Sequence, residues 1–97
     1  MTSVERDIAA RLALLMLEEL ALRKNGKIKD KYWKTYRMVV FWLGKEVADG
    51  IVRKLIEGGF IKIEGKYIVL VKRFSHGKSL NAILREAYNL LSTGIRR

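Results

Sequence analysis

Cysteine, glutamine and proline are absent from this 97-residue chain, asparagine is scarce, and histidine occurs once, at His76. Without cysteine there can be no disulfide, no thiolate metal site and no cysteine nucleophile. With no proline, no low-complexity stretch and no internal repeat, nothing marks a linker or a second domain. Long apolar runs are missing too: the two longest, residues 12–17 and 38–43, are six residues each. A membrane span needs roughly 18. The N-terminal residues carry mixed charge and lack a signal-peptide cleavage pattern, so the expectation is an intracellular, cytoplasmic protein.

Enzymatic signals are equally sparse. His76 sits beside Ser75 and Gly77, but adjacency does not make a nucleophile–base pair, and no third orienting group is apparent. There is no glycine-rich phosphate loop, no zinc-binding HExxH and no EF-hand spacing. The sequence therefore predicts no catalysis, no metal and no cofactor.

Positive charge is abundant. Twenty Lys and Arg face ten Asp and Glu, a formal net charge of +10 with a pI near 10.2. Such a balance favours polyanionic partners. The charge is also clustered: residues 23–37 carry seven basic side chains against Asp30 alone, and residues 62–78 carry five against Glu64. The competing reading is a solvated basic surface that keeps the protein soluble. Lys, Arg and Glu supplying the charge while amides are depleted is the compositional direction of hyperthermophile proteins.

Hydrophobic periodicity gives four helices, at about 3–23, 30–43, 45–57 and 80–92. Thr2 and Glu5 suit an N-cap and capping box for the first, and Asn25-Gly26 suits its end. The first helix is apolar around most of its circumference, with only Asp7, Arg11 and Glu18 as a polar strip, which predicts burial on more than one side. A domain of this length buries roughly 60 to 65% of its unfolded surface. One chain is thus expected to cover one side and a second subunit the other, with Leu12, Leu15, Leu80, Leu84, Ala87 and Leu91 between them. In the second helix the expected core stripe is Trp33, Tyr36, Val40 and Leu43, with Tyr32 and Val39 beside it. In the third it is Val47, Ala48, Ile51, Val52, Leu55 and Ile56. Lys27-Ile28-Lys29 suits a short strand.

The most informative stretch is residues 55–71. A helical pattern stops at Gly58-Gly59 and passes into two β-rich runs joined at Glu64-Gly65, a helix feeding a hairpin at about 60–72, whose second strand is apolar on both faces and expected to be covered on both. This run resembles the recognition helix and wing of winged helix-turn-helix proteins, especially small transcriptional regulators of archaea and their viruses, and the resemblance covers roughly residues 26–73. It implies an α+β winged helix-turn-helix fold with an additional C-terminal helix, acting as a homodimer on double-stranded DNA in association with the nucleoid. On that reading Lys27, Lys29, Lys31, Lys34, Lys62 and Lys66 grip phosphates, while Lys45, Glu46, Asp49 and Arg53 are the candidates for base reading. Against the base-reading role stands an ordinary solvated helix face with an Asp49–Arg53 pair. Lys31-Tyr32-Trp33-Lys34-Thr35-Tyr36-Arg37 interleaves bases with aromatics as single-strand-binding surfaces do, but helical geometry assigns its rings to the core. An architectural DNA-binding protein, an RNA-binding winged helix and a protein-interaction winged helix remain as alternatives.

Overall fold

The computed structural model describes residues 3–72 and 79–94. Their architecture is α+β: four helices and a three-stranded antiparallel sheet. In chain order these are α1 (Ser3–Leu22), β1 (Lys27–Lys29), α2 (Lys34–Leu43), α3 (Lys45–Glu57), β2 (Ile61–Glu64), β3 (Tyr67–Leu70) and α4 (Leu80–Asn89). Three-residue 3-10 turns, Lys24–Gly26 and Asp30–Tyr32, bracket β1, and a π turn, Leu90–Gly94, prolongs α4. Among the described residues no helix is long and apolar enough to cross a membrane.

α1 is the centre of the core. Ile8, Leu12, Leu15, Met16, Leu17 and Leu20 are all buried, and α2, α3, α4, β1 and β3 each pack against α1. This corrects the inference that a second subunit must cover it. Within one chain α4 packs on α1 together with α2, α3 and the sheet, and a strip with Asp7, Arg11 and Leu14 stays exposed. Leu12 and Leu15 of α1 and Ala87 and Leu91 beyond it are core residues of a single chain, whereas Leu80 and Leu84 are only partly buried. Glu18, expected on the polar strip, is buried, and so is Glu19. The Thr2–Glu5 capping box lies outside the described residues.

α2 begins later than periodicity indicated. Residues 30–32 form a 3-10 turn and Trp33 is extended (φ −83, ψ 94), so the α-helix starts at Lys34. The capping group is remote: the fully buried carboxylate of Glu19, on α1, accepts from Lys34 N (3.0 Å), Thr35 N (2.8 Å) and Thr35 Oγ1 (2.8 Å), and also from Arg23. A negative group at a helix N-terminus satisfies donors that the helix cannot and complements its dipole. The buried Trp33 indole donates to Met16 O at 3.1 Å, a second pin between the same elements. The extended residue resets the helical phase. Thr35 and Val39 are therefore α2's buried positions, Tyr36, Val40 and Leu43 are half-buried, and Tyr32 leaves the core for solvent.

α3 has the predicted bounds. It ends in a Schellman arrangement, with Phe60 N bonded to Leu55 O and Gly59 N to Ile56 O, each 3.0 Å, and Gly59 at φ +77 where a side chain would be strained. Its core stripe is narrower than expected: Ala48, Ile51 and Leu55 are buried, Val52 is half-buried, and Val47 and Ile56, at the edges of the stripe, are exposed.

The sheet order is β1-β3-β2, with Ile28 opposite Ile68, Ile63 opposite Ile68 and Glu64 opposite Tyr67. That register makes Gly65-Lys66 the two-residue turn, one position later than the Glu64-Gly65 expected. Gly65 is at φ +61 and Lys66 is not in the positive-φ region, the pattern of a type II′ hairpin. β3 is only partly covered, since Ile68 is buried but Tyr67 and the following Val71 are exposed. Ser79 caps α4 through its hydroxyl, which accepts from Ala82 N.

Candidate nucleic-acid interface

All six lysines expected to meet phosphate lie on β1, the 3-10 turn, the first turn of α2 or the hairpin, and all but the half-buried Lys29 are exposed. Alternation places them: Lys27 faces Val69 and Lys29 faces Tyr67 across the β1–β3 ladder, and Lys62 faces Val69 from β2. Directly opposed residues share a face, so these three lysines stand on the outer face, away from Ile28 and Ile68. The Lys27 and Lys29 ammoniums lie 5.3 and 5.9 Å from the centre of the Tyr67 ring. Lys62 is paired with Glu64 at 2.8 Å, which draws the Glu64 carboxyl below its usual range, chiefly through that hydrogen bond. Both partners are exposed, so the pair is weak and can exchange for a phosphate. Lys66 occupies the hairpin tip.

α3 packs against α2 on one side and β2 on the other, and turns Glu46, Gly50, Arg53 and Glu57 outward. Of the four base-reading candidates, Glu46 and Arg53 are exposed there, but Lys45 and Asp49 are committed to each other. Lys45 Nζ donates to Asp49 Oδ2 at 2.7 Å, and the Tyr36 hydroxyl of α2 donates to Asp49 Oδ1 at 2.6 Å. The i, i+4 partner of Asp49 is therefore Lys45, and the anticipated pairing with Arg53 reduces to a weaker charge interaction. The hydrogen bonds from Lys45 and Tyr36 hold the Asp49 carboxyl below its normal pKa. Burial and the Asp49 contact push the Tyr36 hydroxyl up, and the Asp49 hydrogen bond raises Lys45. Asp49 ties α2 to α3 across Gly44. As a base reader it would first have to give up two charge-assisted bonds.

Two rings with no assigned role are prominent on this side. Phe41, on the outer face of α2, is 82% exposed, and Tyr32 in the 3-10 turn is 55% exposed, with Lys31 Nζ 5.2 Å from its ring centre. Arg37, between them in sequence, is exposed as well. Of the rings in the basic–aromatic stretch 31–37, Trp33 is buried and Tyr36 half-buried as expected, and Tyr32 alone is exposed, because the extended Trp33 breaks the helical register assumed from Asp30. Ser75 and His76 lie outside the described residues, and among the described ones no cluster of His, Asp and Glu could hold a metal. Comparison with known family models, curated proteins and solved structures gave no match to this chain.

Proposed function

We propose that this chain is a winged helix-turn-helix protein that binds double-stranded DNA and regulates transcription by occupying its sites. The observation that carries the reading is the element order α1-β1-α2-α3-β2-β3 with sheet order β1-β3-β2, in which α3 lies between two cationic elements. Lys31 and Lys34 stand at the entrance to α2, and Lys62 and Lys66 on the hairpin. With α3 facing a major groove, these lysines meet the phosphates on either side. Of the positions expected to pair two chains, Leu80 and Leu84 alone keep surface to give, so the homodimer part of the reading narrows to α4 and its border with α2, where the exposed Trp42 and Tyr88 rings meet edge to face at 5.8 Å.

A second reading, an architectural protein that holds duplex without reading it, is favoured by α3 itself. Glu46, Asp49 and Glu57 balance Lys45, Arg53 and Lys54 on that helix, and Asp49 is engaged internally. Selection of bound sequences from random duplex at near-physiological salt separates the two. A regulator returns a motif, bound about 10³ to 10⁷ times more tightly than random DNA, and Arg53→Ala relaxes preference at particular positions of it. No motif, with Arg53→Ala binding like the parent, leaves the architectural reading. No duplex binding at all overturns both.

A further inference from the structure

Lys31 and Asp30 are shared by two open grooves that meet at the 3-10 turn. One runs between this turn, the outer face of α2 and the start of α3, past Tyr32, Arg37, Phe41 and Lys45. The other runs toward the hairpin tip, past Lys29, Ile63 and Lys66. Five cations thus line the path with Asp30 as the one acid in its lining; Lys45 is paired with Asp49 beside it, and Lys29, Lys31, Arg37 and Lys66 leave an excess of charge complementary to a phosphodiester backbone. The most exposed apolar side chains on its first half are rings, Phe41 at 82% and Tyr32 at 55%.

We infer that this path binds single-stranded nucleic acid, with unstacked bases lying on Tyr32 and Phe41 and the backbone following Lys31, Arg37, Lys45 and the lysines toward the hairpin tip. The chemistry distinguishes this from duplex binding. In a duplex the base faces are stacked on one another, and exposed rings gain nothing from them. A single strand offers π-faces at each nucleotide, and base–aromatic stacking with flanking cations is the sequence-tolerant way to hold it. The Lys31 ammonium over the Tyr32 ring already brings a cation beside a stacking surface. A protein partner is a poorer fit, because the rings are interrupted by Lys31 and Arg37 instead of forming an unbroken apolar face.

The path shares Lys31 and Lys66 with the grip proposed for duplex DNA, but Tyr32 and Phe41 take no part in that grip, so replacing the rings separates the two readings. The test is fluorescence anisotropy of labelled oligothymidine and oligouridine beside a labelled hairpin duplex, using the full chain and a Tyr32→Ala/Phe41→Ala variant. Both side chains are exposed, and an unchanged thermal melt verifies that the variant folds. The expected result is a loss of single-strand affinity of at least about tenfold, with duplex affinity within about twofold of the parent. Ultraviolet cross-links from the oligonucleotide should map to Tyr32 or Phe41. The proposal is overturned if the parent does not bind the oligonucleotides, if the variant binds them as the parent does, or if single-strand and duplex affinities fall together. It is also overturned if sedimentation shows self-association that Phe41→Ala abolishes, since the ring then belongs to an interface between copies of the chain.

Discussion

At the joint between α1 and α2 the Glu19 carboxylate is fully buried and is held by Arg23, Lys34 N and both donors of Thr35; at the joint between α2 and α3 the Asp49 carboxylate is partly exposed and held by Lys45 and Tyr36. Each is an acid on one helix that fixes α2 to a neighbour. The difference is what water can replace. If Asp49 lets go, solvent reaches all three groups at once. If Glu19 is removed, the Thr35 N–H and hydroxyl lose their acceptor inside the core and the Lys34 N–H and Arg23 guanidinium lose theirs at its edge, and a buried donor without a partner costs its whole desolvation energy. The first joint sets where α2 starts and hence which way Lys31, Tyr32 and Lys34 project. The second adjusts the surface between two helices already in place.

Breaking the first joint should have the largest effect. Glu19→Ala is expected to cost about 3–5 kcal/mol, because it uncaps α2, leaves the Thr35 donors unpaired in the core and removes the carboxylate partner of the half-buried Arg23. Domains of this size have only about 5–15 kcal/mol in total, so the urea midpoint should drop steeply. A change below about 1 kcal/mol would mean that α2 is positioned by packing alone. Thr35→Val sharpens the same point: it removes one of the four bonds while nearly preserving shape, and should cost about 1 kcal/mol.

The second joint should yield little by comparison. Asp49→Ala is expected to lower stability by less than about 1 kcal/mol at neutral pH. The pH dependence identifies its source. Because the folded-state pKa of Asp49 is lowered, its contribution is present above the ordinary value of 3.8 and is lost as pH falls through the folded value. The raised Tyr36 pKa acts at the other limit, its contribution being complete below 10.0 and lost as pH rises through the folded value. Melts of parent and Asp49→Ala should therefore converge in acid. Parallel curves down to pH 3 would remove Asp49 as the titrating group.

The same contrast explains which features could be read from sequence. α3 was legible to the residue because Gly44 and Gly58-Gly59 bracket an amphipathic run, so its boundaries are written locally. The two basic clusters were legible for a similar reason, as charge density needs no tertiary information. The start of α2 was not, because its cap arrives from Glu19, fifteen positions earlier than the Lys34–Thr35 pair it serves, and no local residue announces it. Extending the helical register back to Asp30 then carried Tyr32 into the core on paper, although the extended Trp33 turns it to solvent. The largely apolar circumference of α1 matches burial on more than one side, with Asp7, Arg11 and Leu14 left exposed. What covers it could not be known from that helix alone, and the answer, α4 of the same chain, moved Leu12, Leu15, Ala87 and Leu91 from a proposed interface to the core.

On the proposed reading, the lysines on either side of α3 hold the phosphates of duplex DNA. The most direct measurement of this grip is the salt dependence of affinity for a random-sequence duplex, compared between the parent and a Lys31→Ala/Lys34→Ala/Lys62→Ala/Lys66→Ala variant. All four side chains are exposed, and the variant should fold as the parent does. The variant should bind all duplexes more weakly alike, with a slope of log affinity against log salt shallower by roughly 3 to 4 units. An unchanged slope and affinity would contradict that reading.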